Sequence, residues 1–172
     1  MGVLVYPLPG LTIVTEATAS FVAFITTVPV AIVPVASSGA ENVTVTGVVT
    51  NGDELGPIRY IEDGTAGLAL YDLTTNLLLS SCVRGDSITV SGTLVDYNGL
   101  LELNPTSAAF IHSNNNPLPQ PQNVTPNQIG EATESELVQI DNVIFNSGGS
   151  LFTVGTHDFS SNSQSGKIYI RT

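Results

Sequence analysis

The chain has 172 residues, 42% of them hydrophobic and 11% charged, with 15 acidic side chains against 4 basic ones and a formal charge of -11. This composition supports an ordered core of one domain, or one small domain with a flanking layer, and excludes a disordered chain. It also makes a weak case for a nucleic-acid reader, because Arg59, Arg84, Lys167 and Arg171 are scattered and cannot act as one phosphate-neutralising patch. An acidic, lysine-poor surface fits a saline or extracellular setting, so secretion or display at the cell surface is expected. Cys82 is the single cysteine, which leaves no disulfide framework and no cysteine metal set; it reads as a small buried hydrophobe.

Residues 1–40 read as a β-rich flanking segment. Ala17 to Ala40 carries no charge, but no basic region precedes the apolar run as a signal peptide requires. Pro29 and Pro34 interrupt "FVAFITTVPVAIVPVA", which excludes a spanning helix. Val, Ile, Phe and Thr dominate, so two buried strands are expected there, with the prolines at edges or bulges.

A barrel is expected over residues 41–113. "NVTVTGVVT", Asn42 to Thr50, sets valines on one face and threonines on the other. "GPIRYIED" and "AGLALYD" follow, joined across Asp63-Gly64. "LTTNLLLSSC", Leu73 to Cys82, lacks alternation and is expected as a short helix. Asp86 to Val95 then alternates Ile88, Val90 and Leu94 against Ser87, Thr89, Ser91 and Thr93. Asn98-Gly99 is the pair that a type I′ hairpin turn needs, and "LLELNPTSAAFIH" returns from it. Gly47 and Gly92 sit in mid-strand, where glycine marks a bulge or a bend. Three strands, a short helical connection and a hairpin are the order of a five-stranded OB-fold, a Greek-key barrel. The fold class is therefore mainly β, with extra flanking strands and one or two short helices.

Residues 114–127 form a connector rich in Pro and Asn. Thr125-Pro126-Asn127-Gln128 reads as a helix start, with Thr as N-cap, Pro first and Gln reaching back, and the helix is expected to run to about Ser135. "ELVQIDNVIF" alternates as a strand, Gly148-Gly149 turns it, "SLFTV" returns and "KIYIR" ends the run. Residues 128–172 are thus expected as a helix and strands packing on the barrel, in a chain that continues into neighbouring domains.

"VTVTGVVTN", "RYIEDGTAGLALYD", "GDSITVSGTLVDYNGLLEL" and "PLPQPQNVT…ELVQIDNVIF" resemble the OB-fold modules of secreted bacterial nucleases and surface proteins. The resemblance covers roughly Glu41 to Phe145. It implies a binding module whose catalytic residues, in the nuclease examples, lie in a separate domain. OB-folds bind through strands two and three and the loops after strands one and four. On this sequence those positions are Asn51 to Glu54, Arg59, Tyr60, Tyr71, Tyr97 and Asn98. A tyrosine offers a stacking plane and Arg59 a planar cation, although the same tyrosines can serve as packing or turn residues.

No catalytic set emerges from the remaining residues. His112 and His157 lack zinc-binding spacing, there is no nucleophile elbow, and Gly166-Lys167 lacks the upstream glycine of a P-loop. The acid pairs Asp53-Glu54 and Glu62-Asp63 lie at turns without the spaced ligands of a calcium loop. Arg84-Gly85-Asp86 spells an integrin tripeptide but reads as a turn into a strand. The expectation is a non-enzyme with no metal and no cofactor. It binds nucleic acid, a glycan or a protein; the alternative is an assembly domain of a larger surface protein.

Overall fold

The computed structural model describes residues 3–6, 12–15, 42–74 and 77–170. The apolar run expected as two strands lies outside these described residues. The chain divides into two compact units, Ala19–Pro119 and Met1–Thr18 with Gln120–Thr172. One of the two boundaries, between Pro119 and Gln120, falls within the Pro- and Asn-rich connector.

The second of these units holds β1 (Val3–Tyr6) and β2 (Thr12–Thr15). The first holds β3 (Asn42–Val49), β4 (Ile58–Glu62), β5 (Gly67–Tyr71), β6 (Ser87–Tyr97), β7 (Leu100–Pro105) and β8 (Phe110–Ser113). β3, β4 and β5 form an antiparallel meander. β5 runs parallel to β7, the β6–β7 hairpin turns across Asn98 and Gly99, and β6 pairs back onto β3. The order β3-β4-β5-β7-β6-β3 closes a five-stranded barrel with the Greek-key path of an OB-fold. β8 extends the line of β7 along the lower part of β6.

Period-two alternation fills the barrel. Val45, Val49, Ile61, Leu68, Leu70, Ile88, Val90 and Leu103 point inward and form one buried cluster. Asn98 and Gly99 both have positive φ, 54° and 90°, as a type I′ turn requires. Gly92 marks the bend: a Cβ there would run into the Asn104 carbonyl oxygen and the Leu103 side chain, so only glycine lets β6 cross β7 this closely.

The described residues of the expected helix at Leu73–Cys82, 73–74 and 77–82, are not helical, and Asp72 explains why. Its Oδ1 accepts from the Thr74 amide at 2.8 Å and the Thr74 hydroxyl at 2.6 Å, and its Oδ2 from the Leu78 and Leu79 amides at 2.6 and 3.0 Å. One carboxylate thus satisfies the donors that a helix would have paired internally. The loop it shapes drops Leu79 and Cys82 into the barrel core.

In the other unit the structure adds β9 (Gln122–Asn123), β10 (Leu137–Gln139), β11 (Ile144–Phe145), β12 (Gly155–Ser161) and β13 (Gln164–Ile170). With β1 and β2 they form a seven-stranded sheet in the order β11-β12-β13-β1-β2-β10-β9. "SLFTV" is not a strand. The hairpin is instead β12–β13, turned by Asn162 and Ser163 with φ of 48° and 65°. The helix expected from Pro126 is two separate 3-10 turns, Pro126–Gln128 and Glu131–Thr133, although Gln128 Oε1 does reach back to the Thr125 amide at 2.8 Å. Among the described residues the helical segments are all 3-10 turns, and none is long and apolar enough to cross a membrane.

Candidate functional site

The five residues proposed for binding do not form one site. Arg59 faces the barrel interior beside Leu70 and is 0% exposed. Its Nε donates to the Cys82 carbonyl at 3.0 Å, and its Nη1 to the carbonyls of Gly56 and Ile58 at 2.8 and 2.9 Å. This guanidinium ties β4 to the loop before β6 and offers nothing to a phosphate. Tyr60 is also buried, at 1% exposure, and its amide donates to Asn51 Oδ1 at 2.6 Å. Asn51 in turn donates to the Ile58 carbonyl at 3.0 Å, so it shapes the β3–β4 loop from within.

The burial of Tyr60 extends across its neighbours. Tyr60, Ala69 and Glu102 are cross-strand partners on the outward side of β4, β5 and β7, and all three are buried. At these three positions the surface on which OB-folds commonly hold ligands is therefore buried, while Ile58 and Tyr71 at its edge are half-buried.

Tyr71, Tyr97 and Asn98 remain accessible, but at opposite ends of the barrel. Tyr71 pairs with Ile58 beside the β3–β4 loop and is half-buried. Leu70 pairs with Leu103, three residues past Leu100 at the hairpin turn. The Tyr97-Asn98 tip therefore stands level with the start of β5, roughly 13 Å from Tyr71 at strand rise. Tyr97 is 62% exposed, and Asp96 Oδ1 holds the turn through the Gly99 amide at 2.7 Å.

Buried polar groups elsewhere in the barrel are structural. Asp86 accepts from the Val83 amide at 2.9 Å and from Asn114 Nδ2 at 2.7 Å, and is fully buried, so Arg84-Gly85-Asp86 is a turn and not an exposed tripeptide. Burial pushes the Cys82 thiol up; Arg59 opposes this and Asp86 adds to it, which disfavours the thiolate. For Asp72, burial raises the carboxyl, but the hydrogen bonds from Thr74, Leu79 and Leu78 together outweigh it and leave the group below its ordinary value. Among the described residues no group of three or more His, Cys, Asp or Glu is placed to hold a metal ion.

The other unit contains an open cleft of about 380 Å³, with Pro126, Ile129 and Phe159 as apolar walls. Lys167 and Asp158 pair across its rim at 2.8 Å. Each is more than half exposed, so the pair is solvent-screened and adds little to stability. Sequence reading missed this cleft because its walls come from residues with no motif in common.

The barrel path defines the class, an OB-like β module. Over 112 residues, 58% of this chain, the sequence is 29% identical to Endonuclease YhcR of Bacillus subtilis (strain 168), and the match spans 9% of that protein's length. No family model and no solved structure matches the chain. The likeness overturns the expectation of a non-enzyme, since the similar protein bears the name of an endonuclease.

Proposed function

We propose that this chain is a nucleic-acid-handling segment of a bacterial nuclease, exported to the surface or medium, whose barrel meets a substrate strand at the β6–β7 tip. The observation that carries this reading is the likeness to Endonuclease YhcR over more than half of the chain. Two features support it. OB-type barrels use the loop between the fourth and fifth strands as a ligand contact, and here that loop presents the exposed ring of Tyr97 beside Asn98. A tyrosine face stacks on any base, so contact there does not depend on sequence. With Arg59 buried and the other basic residues too scattered to form one patch, stacking is expected to outweigh counterion release, and affinity to fall only shallowly with salt.

The test has two arms. Fluorescence anisotropy of a labelled single-stranded oligonucleotide, run across a salt series, reads binding. Tyr97→Ala is expected to weaken it by roughly tenfold, the loss of one stacked base. Incubation with plasmid DNA and Mg²⁺ or Ca²⁺ reads cleavage. Absence of both binding at low salt and cleavage with either cation would overturn the reading.

A further inference from the structure

One face of the barrel is open where the other is closed. On the outward side of β3 and β6, Thr44 Oγ1 lies 2.7 Å from Ser91 Oγ, and Thr46 Oγ1 lies 2.6 Å from Thr89 Oγ1. Thr89 Oγ1 also lies 2.7 Å from His112 Nε2 on β8. His112 packs edge-on against Phe110, their ring centroids 4.9 Å apart, and Phe110 is 65% exposed. The cross-strand registers Thr44↔Ser91, Thr46↔Thr89 and Thr89↔Phe110 place all of these groups on one surface.

The chemistry of this surface is narrow. In a chain of formal charge -11, its six side chains include no carboxylate, lysine or arginine. A phosphate backbone finds no cation here, and a basic partner finds no anion. The Thr44–Ser91 pair uses one O–H between its members and leaves the other for an outside group. In the Thr46–Thr89–His112 row an O–H stays free when His112 Nε2 carries the proton, and lone pairs stay free in either tautomer. The exposed ring beside them supplies an apolar plane. Hydroxyl donors and acceptors next to one aromatic face match a sugar ring, which has polar edges and C–H faces.

We infer that this face binds a neutral polysaccharide, with Phe110 as the stacking platform and the Thr44–Ser91 and Thr46–Thr89–His112 rows as the hydrogen-bonding partners. The uncharged surface selects a neutral glycan over an anionic one. Thr93, whose Oγ1 donates to Asn42 Oδ1 at 3.3 Å, continues the row, so from Thr89 to Thr93 it rises roughly 13 Å, which favours a chain over a single sugar. The site is separate from the Tyr97 tip and does not depend on the nuclease reading. A nuclease segment holding this site would be retained on a glycan matrix while acting on nucleic acid.

Affinity gel electrophoresis of the whole chain tests this, in gels cast with galactomannan, xyloglucan or dextran and in a parallel gel of anionic polygalacturonate. Retardation is expected in at least one neutral gel and is expected to survive high salt. Phe110→Ala should weaken it about five- to tenfold. Thr89→Val should weaken it less, and Tyr97→Ala should leave it unchanged. Phe110 projects into solvent, so its truncation leaves the core intact; an unchanged melting midpoint confirms this. Migration unaffected by all three neutral polysaccharides overturns the inference. So does retardation that Phe110→Ala does not change, retardation by polygalacturonate alone, or loss of oligonucleotide binding in Phe110→Ala.

Discussion

The two sides of the barrel wall are built from the same alternating strands yet end in opposite states. On β4, β5 and β7 both sides are buried: Arg59, Ile61 and Leu70 within, Tyr60, Ala69 and Glu102 without. On β3 and β6 only the inward side is buried, and the outward side carries a row of hydroxyls reaching water, beside the exposed Phe110 and His112 of β8. Alternation therefore sorts residues into two faces but does not decide which face stays open. That decision determines where a ligand can approach. It shifts the candidate contacts from Arg59 and Tyr60 to the hairpin tip and the hydroxyl face.

The largest effect is expected from forcing the barrel open at its bend. Gly92→Val places side-chain atoms against the Asn104 carbonyl and Leu103, at the upper end of overpacking costs, about 3 kcal/mol or more. Urea denaturation reads this as a lower midpoint; an unchanged midpoint would mean that β6 and β7 are not held this closely.

Arg59 separates a structural from a binding role. Arg59→Ala removes a donor from the Cys82 and Gly56 carbonyls, leaves Ile58 with Asn51 alone, and empties a core position, at a cost of roughly 2–3 kcal/mol. Its Nη2 is buried without a hydrogen-bond partner, so Arg59→Met, which fills the space without a charge, should cost less. Oligonucleotide affinity of the folded Met variant should match that of the native chain. A selective loss of affinity would return Arg59 to the binding surface.

Asp72 gives a smaller, pH-dependent effect. Its carboxyl titrates below its ordinary value of 3.8 when folded, so the stabilisation is present above that value and is lost as pH falls through the folded pKa. Asp72→Asn should cost roughly 1–3 kcal/mol at neutral pH, because an amide N–H₂ meets backbone donors. The gap between native and variant midpoints should start to narrow near about pH 4 and close only as pH falls through the folded pKa. A gap that persists in acid would assign the loss to packing. Lys167→Ala, at the exposed pair with Asp158, should change stability by less than about 0.5 kcal/mol.

The barrel was legible because its signals are local. Asn98-Gly99, the glycine at the bend and the alternation of Ser87 to Val95 each depend on neighbours within a few positions, and together they order the five strands. The misreadings share the opposite property. Leu73–Cys82 looks helical until Asp72 supplies the acceptors from outside the run. The β12–β13 hairpin was hidden because Asn162-Ser163 turns without glycine and the strands carry polar residues on both sides, with Phe159 and Ile168 as the buried anchors. Arg59 reads as a surface cation because its three acceptors are backbone carbonyls, which no residue type advertises. The threonine and serine rows of the open face were visible as an alternation, but Phe110 and His112 join them only through the register of β8.

Hydroxyl-radical footprinting of the whole chain, with and without a single-stranded oligonucleotide, tests this arrangement most directly. The structure requires Tyr97 and Phe110 to be oxidised readily in the free protein and Tyr60 to be protected. Adding the oligonucleotide should protect Tyr97 and leave Phe110 reactive. A Tyr60 that reacts freely and becomes protected by the oligonucleotide would contradict it, placing the strand on β4 and β5 and showing that this face is open in solution.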